Sequence, residues 1–189
     1  MGNRQQLLQR AQTLDVNDTS ELCILGVLFD DARSENGLVN VIRGMDIGTW
    51  QPTREVVFST LERLVAQNCI VTLEGTHDQF FSITGEGIKR FFKLIKRPLP
   101  FDMGMRTNSV AMKSYFLEQV PCGVRKCVVS ELIGYYNCQL RGLQDGCALC
   151  PLNSQRKSMQ NQQQLGQIQQ ELTWLQGLTS ELGRQQAVL

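Results

Sequence analysis

The stretch "WQPTREVVFSTLERLVAQNC" spans Trp50 to Cys69, and its pattern decides the fold. Val57, Leu61, Leu64 and Val65 fall at i, i+4, i+7 and i+8, the spacing of one helix face. Pro52 suits the start of such a helix, where its missing N–H costs nothing. Thr53, Arg54 and Glu55 then form a polar front opposite the apolar back. The pattern predicts a helix that buries Val57, Leu61 and Leu64 and leaves Pro52, Thr53, Arg54 and Glu55 outside.

On the carboxy-terminal side of this helix, "CIVTLEG" and "DQFFSIT" alternate as strands around a turn from Gly75 to Asp78, which predicts a hairpin. "TGEGIKRFFKLIKR" follows, with Thr84 as N-cap, an apolar face of Ile88, Phe91, Phe92 and Ile95, and a stop before Pro98. On the amino-terminal side, "NDTSELCILGVLFDDA" offers Asp18, Thr19 and Ser20 as caps before Leu22, Ile24, Leu25, Leu28 and Phe29. That helix is apolar on much of its circumference and is expected in the core. "ENG" (Glu35 to Gly37) reads as punctuation before a short helix carrying Leu38, Val41 and Ile42, and "RQQLLQRAQTL" reads as a Gln-rich helix near the start. Helix, helix, helix, strand, strand, helix is the order of a winged helix-turn-helix.

Beyond it, "PLPFDMGMRTN" has little periodicity, which places a domain boundary at residues 100 to 108. The expected division is a winged helix-turn-helix domain over 1–100 and a helical domain over 108–189, giving a mainly α chain. The second part holds "SVAMKSYFLEQV", a long helix after Pro121 and a further helix after "CPLNSQR". Leu165, Ile168, Leu172, Leu175 and Leu182 form a coiled-coil-like stripe on that last helix, interrupted only at Thr179. An apolar seam in a strandless domain needs another helix, and a second copy of the chain is the simplest provider.

Composition narrows the classes. At 189 residues, 42% hydrophobic and 20% charged, the chain is an ordinary globular protein rather than a disordered one. Its longest apolar run, "LCILGVLF", falls well short of the roughly 20 residues that span a bilayer, so no membrane role and a cytoplasmic location are expected. The formal net charge is +1, with 11 Lys+Arg against 12 Asp+Glu in residues 1–100, so any nucleic-acid binding must come from a local cluster. Lys89, Lys93 and Lys96 share a helix face and are candidate phosphate contacts, as readily explained as a solvated face.

These stretches resemble a known family. "ILGVLFD", "NGLVNVIRG", "WQPTREVVFSTLERLVAQNCI" and "FSITGEGIKRF" are similar, in order, to the amino-terminal half of PadR-family transcription regulators. "KSYFLEQVP" and "ELTWLQGL" resemble the helical dimerisation domain of the longer members. The resemblance implies a homodimeric repressor whose recognition helices enter successive major grooves of an inverted-repeat operator, with the carboxy-terminal helices clasping the partner. It places Thr53, Arg54, Ser59 and Arg63 toward double-stranded DNA. It also admits a small-molecule effector. The chain departs from the family pattern at Glu55 and Phe58, where a small residue and a Tyr are common, and its wing carries Glu74 and Asp78 with His77 as the one potential cation. Those departures keep open a winged-helix adaptor that binds a protein partner.

Of the seven cysteines, Cys147 and Cys150 in "CALC" have the spacing that lets two thiolates reach one metal, and Cys122 with Cys127 is a wider pair upstream. On one helix rising about 1.5 Å per residue the two pairs stand roughly 30 Å apart, so one subunit cannot gather them around one ion. A metal- or thiol-responsive regulator is therefore a further alternative, and packing or idle thiols the plainer reading. Cys23 and Cys69 are expected in the core. Tyr135, Tyr136, Trp174, Phe101 and Phe116 are either core or the lining of an effector pocket. No phosphate loop, nucleophile elbow or convincing carboxylate pair is present, so no enzyme activity and no cofactor are expected.

Overall fold

The structure is a computed structural model, and it describes residues 13–45, 47, 50–75, 78–149 and 155–186. Two compact units divide the chain, Met1–Pro121 and Cys122–Leu189. The first contains helices α1 (Val16–Asp30), α2 (Glu35–Gly44), α3 (Arg54–Ala66), α4 (Gly85–Ile95) and α5 (Met103–Tyr115), with strands β1 (Arg33–Ser34), β2 (Ile70–Glu74) and β3 (Gln79–Ile83). The second contains α6 (Cys122–Leu149) and α7 (Gln155–Gln186). The Gln-rich helix expected near the start lies mostly outside the described residues.

α1 is the hub of the first unit, with every residue from Asp18 to Leu28 buried. Its cap is Asp15, one turn earlier than the sequence suggests. Asp15 Oδ1 accepts the Asp18 N–H at 2.7 Å and the Asp18 carboxylate accepts the Asp15 N–H at 3.3 Å, a reciprocal capping box. Thr19 and Ser20 are thereby drawn inside the helix, where their hydroxyls donate to the carbonyls of Asp15 and Val16. "ENG" proves to be the first turn of α2 rather than a break, because Ser34 Oγ accepts the Gly37 N–H at 3.2 Å.

The hairpin is present, with Leu73 opposite Phe80 and Ile70 opposite Ile83, but it is not alone. β1 adds to β3 through Arg33 opposite Phe81 and Ser34 opposite Phe80, giving a three-stranded antiparallel sheet in the order β1-β3-β2. Two residues carry too little periodicity to announce a strand. The Gly75 N–H donates to the Asp78 carbonyl across the expected turn, whose His77 lies outside the described residues.

The wing is fastened at its root. α3 ends in a Schellman arrangement in which Asn68 takes φ 55° and the N–H groups of Asn68 and Cys69 reach the carbonyls of Val65 and Leu64. Thr84 Oγ1 donates to the Asn68 and Cys69 carbonyls and accepts the Gly87 N–H, so one residue caps α4 and holds the start of β2. Gly87 is required here, since a Cβ would collide with the Cys69 carbonyl oxygen.

α4 packs Phe91, Leu94 and Ile95 into the core. Phe91 lies 5.6 Å from Phe29 and 5.8 Å from Phe116 between ring centroids, the latter edge to face. Phe116 reaches this position because Gly26 has no side chain; a Cβ there would stand 2.6 Å from the ring. α5 is thus part of the first unit, and the division falls after Pro121 rather than at 100–108. Two polar contacts strengthen the attachment: buried Lys113 donates to the Arg97 carbonyl at 2.5 Å, and Arg106 Nε donates to the Pro100 carbonyl at 2.6 Å.

In the second unit α6 and α7 pack along a seam of Val128, Val129, Leu132, Leu172, Leu175 and Leu182. Leu165 and Ile168 of the expected stripe are half-buried. A cleft of about 370 Å³ on this unit is lined by Lys126, Val129, Ser130, Ile133, Thr179 and Leu182. No described helix is long and apolar enough to cross a membrane.

Candidate nucleic-acid interface

α3 has the two-sided character that its spacing predicts. Val57, Leu61 and Leu64 are buried, each stabilising the docked helix by roughly 1.5–3 kcal/mol relative to exposure. Val65, expected on the same face, is exposed at the rim. Thr53, Arg54, Glu55, Phe58 and Ser59 face solvent. With α1 and α2 before it and the β2–β3 hairpin after it, α3 occupies the recognition-helix position. This fold is a winged helix-turn-helix.

The front is ordered by its own contacts. Thr53 is the N-cap residue of α3 but makes no side-chain cap; its hydroxyl instead bonds the Glu55 carboxylate. The Glu55 backbone N–H, followed by that hydroxyl, holds the exposed Glu55 carboxyl below its ordinary range. Arg54 Nε donates to Glu35 Oε1 at 2.7 Å, tying the first turn of α3 to the first turn of α2 at the surface. Ser59 Oγ donates to the Val56 carbonyl at 3.2 Å.

Arg63 differs from the other three candidates. Its Nε donates to Glu21 Oε1 of α1 at 2.9 Å, and its Nη2 is buried without a hydrogen-bond partner among the described residues. The guanidinium reaches back to α1 while the side chain stays half-buried, unlike Thr53, Arg54 and Ser59, which face solvent. Spacing alone could not reveal this, because a long side chain on the edge of a helix can fold to either side.

The cationic run on α4 divides in the same way. Arg90 Nη2 donates to Glu21 Oε2 at 2.7 Å and to Asp18 Oδ1 at 3.1 Å, while Arg97 pairs with Asp18 Oδ2. Sequence reasoning took Asp18 only as a cap and missed Glu21, although acidic residues beside a strongly apolar run were the available signal. Burial raises the Asp18 carboxyl above its ordinary range despite the backbone N–H of Asp15 and the two guanidinium groups. Lys89 pairs with Glu86 at 2.6 Å on the surface, and Lys93 is exposed with no ion pair to a described residue. Both line an open cleft of about 380 Å³ with Gln67, Cys69, Glu86 and Arg90.

The wing's outer face is apolar: Val71, Leu73 and Phe80 are exposed, flanked by Glu74 and Asp78. Cys23 and Cys69 are buried, and burial raises both thiols above their ordinary range. α6 carries Cys122 and Cys127 on one continuous helix with Cys147, whose side chain, like the whole of Cys150, lies outside the described residues. Among the described residues no three metal-ligating side chains converge. Phe116 is core, Phe101 is exposed, Tyr135 and Tyr136 meet edge to face on α6, and Trp174 is partly exposed.

No family model and no curated protein matches the chain. Among solved structures it is similar to Bacillus subtilis PadR in complex with operator DNA, at 15% identity, covering 86% of this chain and 98% of that one with a TM-score of 0.39. It is also similar to a PadR-like transcriptional regulator from Bacillus cereus, at 16% identity, 88% and 99% coverage and a TM-score of 0.40. The Vibrio cholerae virulence activator AphA is a third, at 13% identity, 90% and 99% coverage and a TM-score of 0.39. The winged helix-turn-helix stands on the chain's own element order.

Proposed function

We propose that the protein is a PadR-like transcriptional regulator that binds double-stranded DNA as a homodimer and acts as a repressor. The observation that carries this reading is the polar front of α3, with Thr53, Arg54 and Ser59 exposed on a helix whose back is fixed by Val57, Leu61 and Leu64. A helix presented in this way beside a wing fits the major groove of B-DNA. Leu172, Leu175 and Leu182 of the α7 stripe are taken up by α6 of the same chain, and Leu165 and Ile168, half-buried, leave an apolar edge that supports self-association. Two-fold symmetry then requires half-sites about one helical turn apart, roughly 34 Å. A small-molecule effector that shifts DNA affinity is compatible with this reading.

Selection of bound duplexes from a random pool by the full chain tests it, with an inverted repeat as the expected product. Arg54→Ala should weaken binding of that duplex by about 1–3 kcal/mol, measured by fluorescence anisotropy, without loss of the folded state. Failure to retain any duplex at low salt would overturn the proposal.

A second reading rests on the wing. Val71, Leu73 and Phe80 form an exposed apolar face with Glu74 and Asp78 beside it, a surface suited to a protein partner and ill suited to phosphate. Recovery of one stoichiometric protein partner, with no duplex retained, would favour that adaptor role.

A further inference from the structure

Burial of Val57, Leu61 and Leu64 decides which face of α3 turns inward, but apolar attraction is non-directional and leaves small rotations cheap. Directional contacts can set the remaining angle. One is the Arg54–Glu35 pair, exposed and therefore weak. The other lies on the buried side of the helix. Glu21, almost wholly buried in α1, takes Arg63 of α3 on Oε1 at 2.9 Å and Arg90 of α4 on Oε2, where Nε and Nη2 donate at 2.9 and 2.7 Å. Asp18, one turn earlier on α1, takes Arg90 and Arg97. Two carboxylates on one helix thus gather three guanidinium groups from α3, α4 and the residues just after α4.

We infer that Glu21 is the positioning residue of the recognition helix: by holding Arg63 and Arg90 on its two carboxylate oxygens, it sets the angle at which Thr53, Arg54 and Ser59 are presented. This rests on the proposed DNA-binding role of that face. Arg63 then acts through Glu21 and not through phosphate. A buried ion pair commonly adds little net stability relative to an apolar replacement, but its donor and acceptor atoms must meet at hydrogen-bond distance, which favours one rotation of the helix.

The test uses Glu21→Gln, Arg63→Met and the double variant in the full chain, with two measurements. Hydrogen exchange by mass spectrometry needs no DNA: each single variant should speed exchange across residues 54–66, the double should add nothing further, and residues 103–115 should remain as in the unaltered chain. With a duplex recovered by selection as probe, each single should lower affinity about tenfold, the double no more than either, and the slope of log affinity against log salt should not change. Unaltered exchange across 54–66 in Arg63→Met overturns the inference, and that variant suffices if Glu21→Gln fails to fold. A salt slope reduced by about 1 in Arg63→Met, additive with Glu21→Gln, also overturns it, because Arg63 would then be a phosphate contact. If no duplex is recovered, the DNA-binding reading fails on its own, while the exchange measurement still decides the role of Glu21.

Discussion

The two units bury side chains in different ways. In the first, Leu22, Leu25, Leu64, Phe91 and Phe116 share the interior with Asp18, Glu21 and Lys113, and ionic contacts join α1 to α3, to α4 and to the residues beyond it. In the second, every buried side chain among the described residues is apolar, and all of them lie on the α6–α7 seam. The contrast teaches what each interior can specify. Apolar packing sets closeness and the broad crossing angle, and buried ions add contacts that are met at only one orientation, which matters where a helix must present one face.

The chain's two tryptophans make this contrast measurable, since Trp50 belongs to the first unit and Trp174 to the second. Replacing either by Phe leaves a reporter for the other. The largest expected effect is from Phe91→Ala, which removes the ring shared by Phe29 and Phe116. It should destabilise the first unit by about 3–5 kcal/mol, read as a lower urea midpoint of Trp50 fluorescence. If Trp174 shifts by the same amount, the two units unfold together and the contrast between them dissolves.

Leu175→Ala should cost about 2–4 kcal/mol in the second unit, because Leu175 is fully buried and a cavity in a narrow seam has few neighbours to collapse into it. Its reporter is Trp174. In the proposed homodimer the midpoint should also depend on protein concentration, and an unchanged midpoint over a hundredfold dilution would count against self-association.

The smallest effect concerns Asp18. Burial raises its folded-state carboxyl above the ordinary 3.8, so the folded chain binds that proton more tightly than the unfolded chain does. Its contribution is therefore fully present below the ordinary value and is lost as pH rises through the raised one. Asp18→Asn should flatten the stability profile just above pH 3.8, measured by urea titration at stepped pH. A profile identical to the unaltered chain's would show that Arg90 and Arg97 already offset the cost of burial.

Much of this architecture was legible in the sequence, and the reasons are specific. The 3.6-residue spacing of Val57, Leu61 and Leu64 announced a half-buried α3, and Thr84 announced the start of α4 because a cap is a local feature. What escaped notice depends on partners far along the chain. Pro98 and Pro100 look like a linker, yet Phe116 and Lys113 return α5 to the first unit. β1 is too short for alternation and forms because β3 is there to pair with it. Arg63 and Arg90 looked like surface cations until α1 supplied Glu21. The candidate DNA-facing residues were legible as an exposed front, and the chemistry that aims them was not.

The ionic cluster around α1 also bears on time. Its contacts join residues far apart along the chain: Arg63 to Glu21 across 42 positions and Arg90 to Glu21 across 69. Closing them costs the entropy of the chain between, so whether they form before or after the folding barrier decides which rate they govern. Interactions made after the folding barrier slow escape from the native state and leave its formation rate nearly unchanged. If stopped-flow kinetics of Glu21→Gln show faster unfolding with an unchanged refolding rate, the cluster acts as a latch on the lifetime of the winged helix; a slowed refolding rate would place it in the folding nucleus instead.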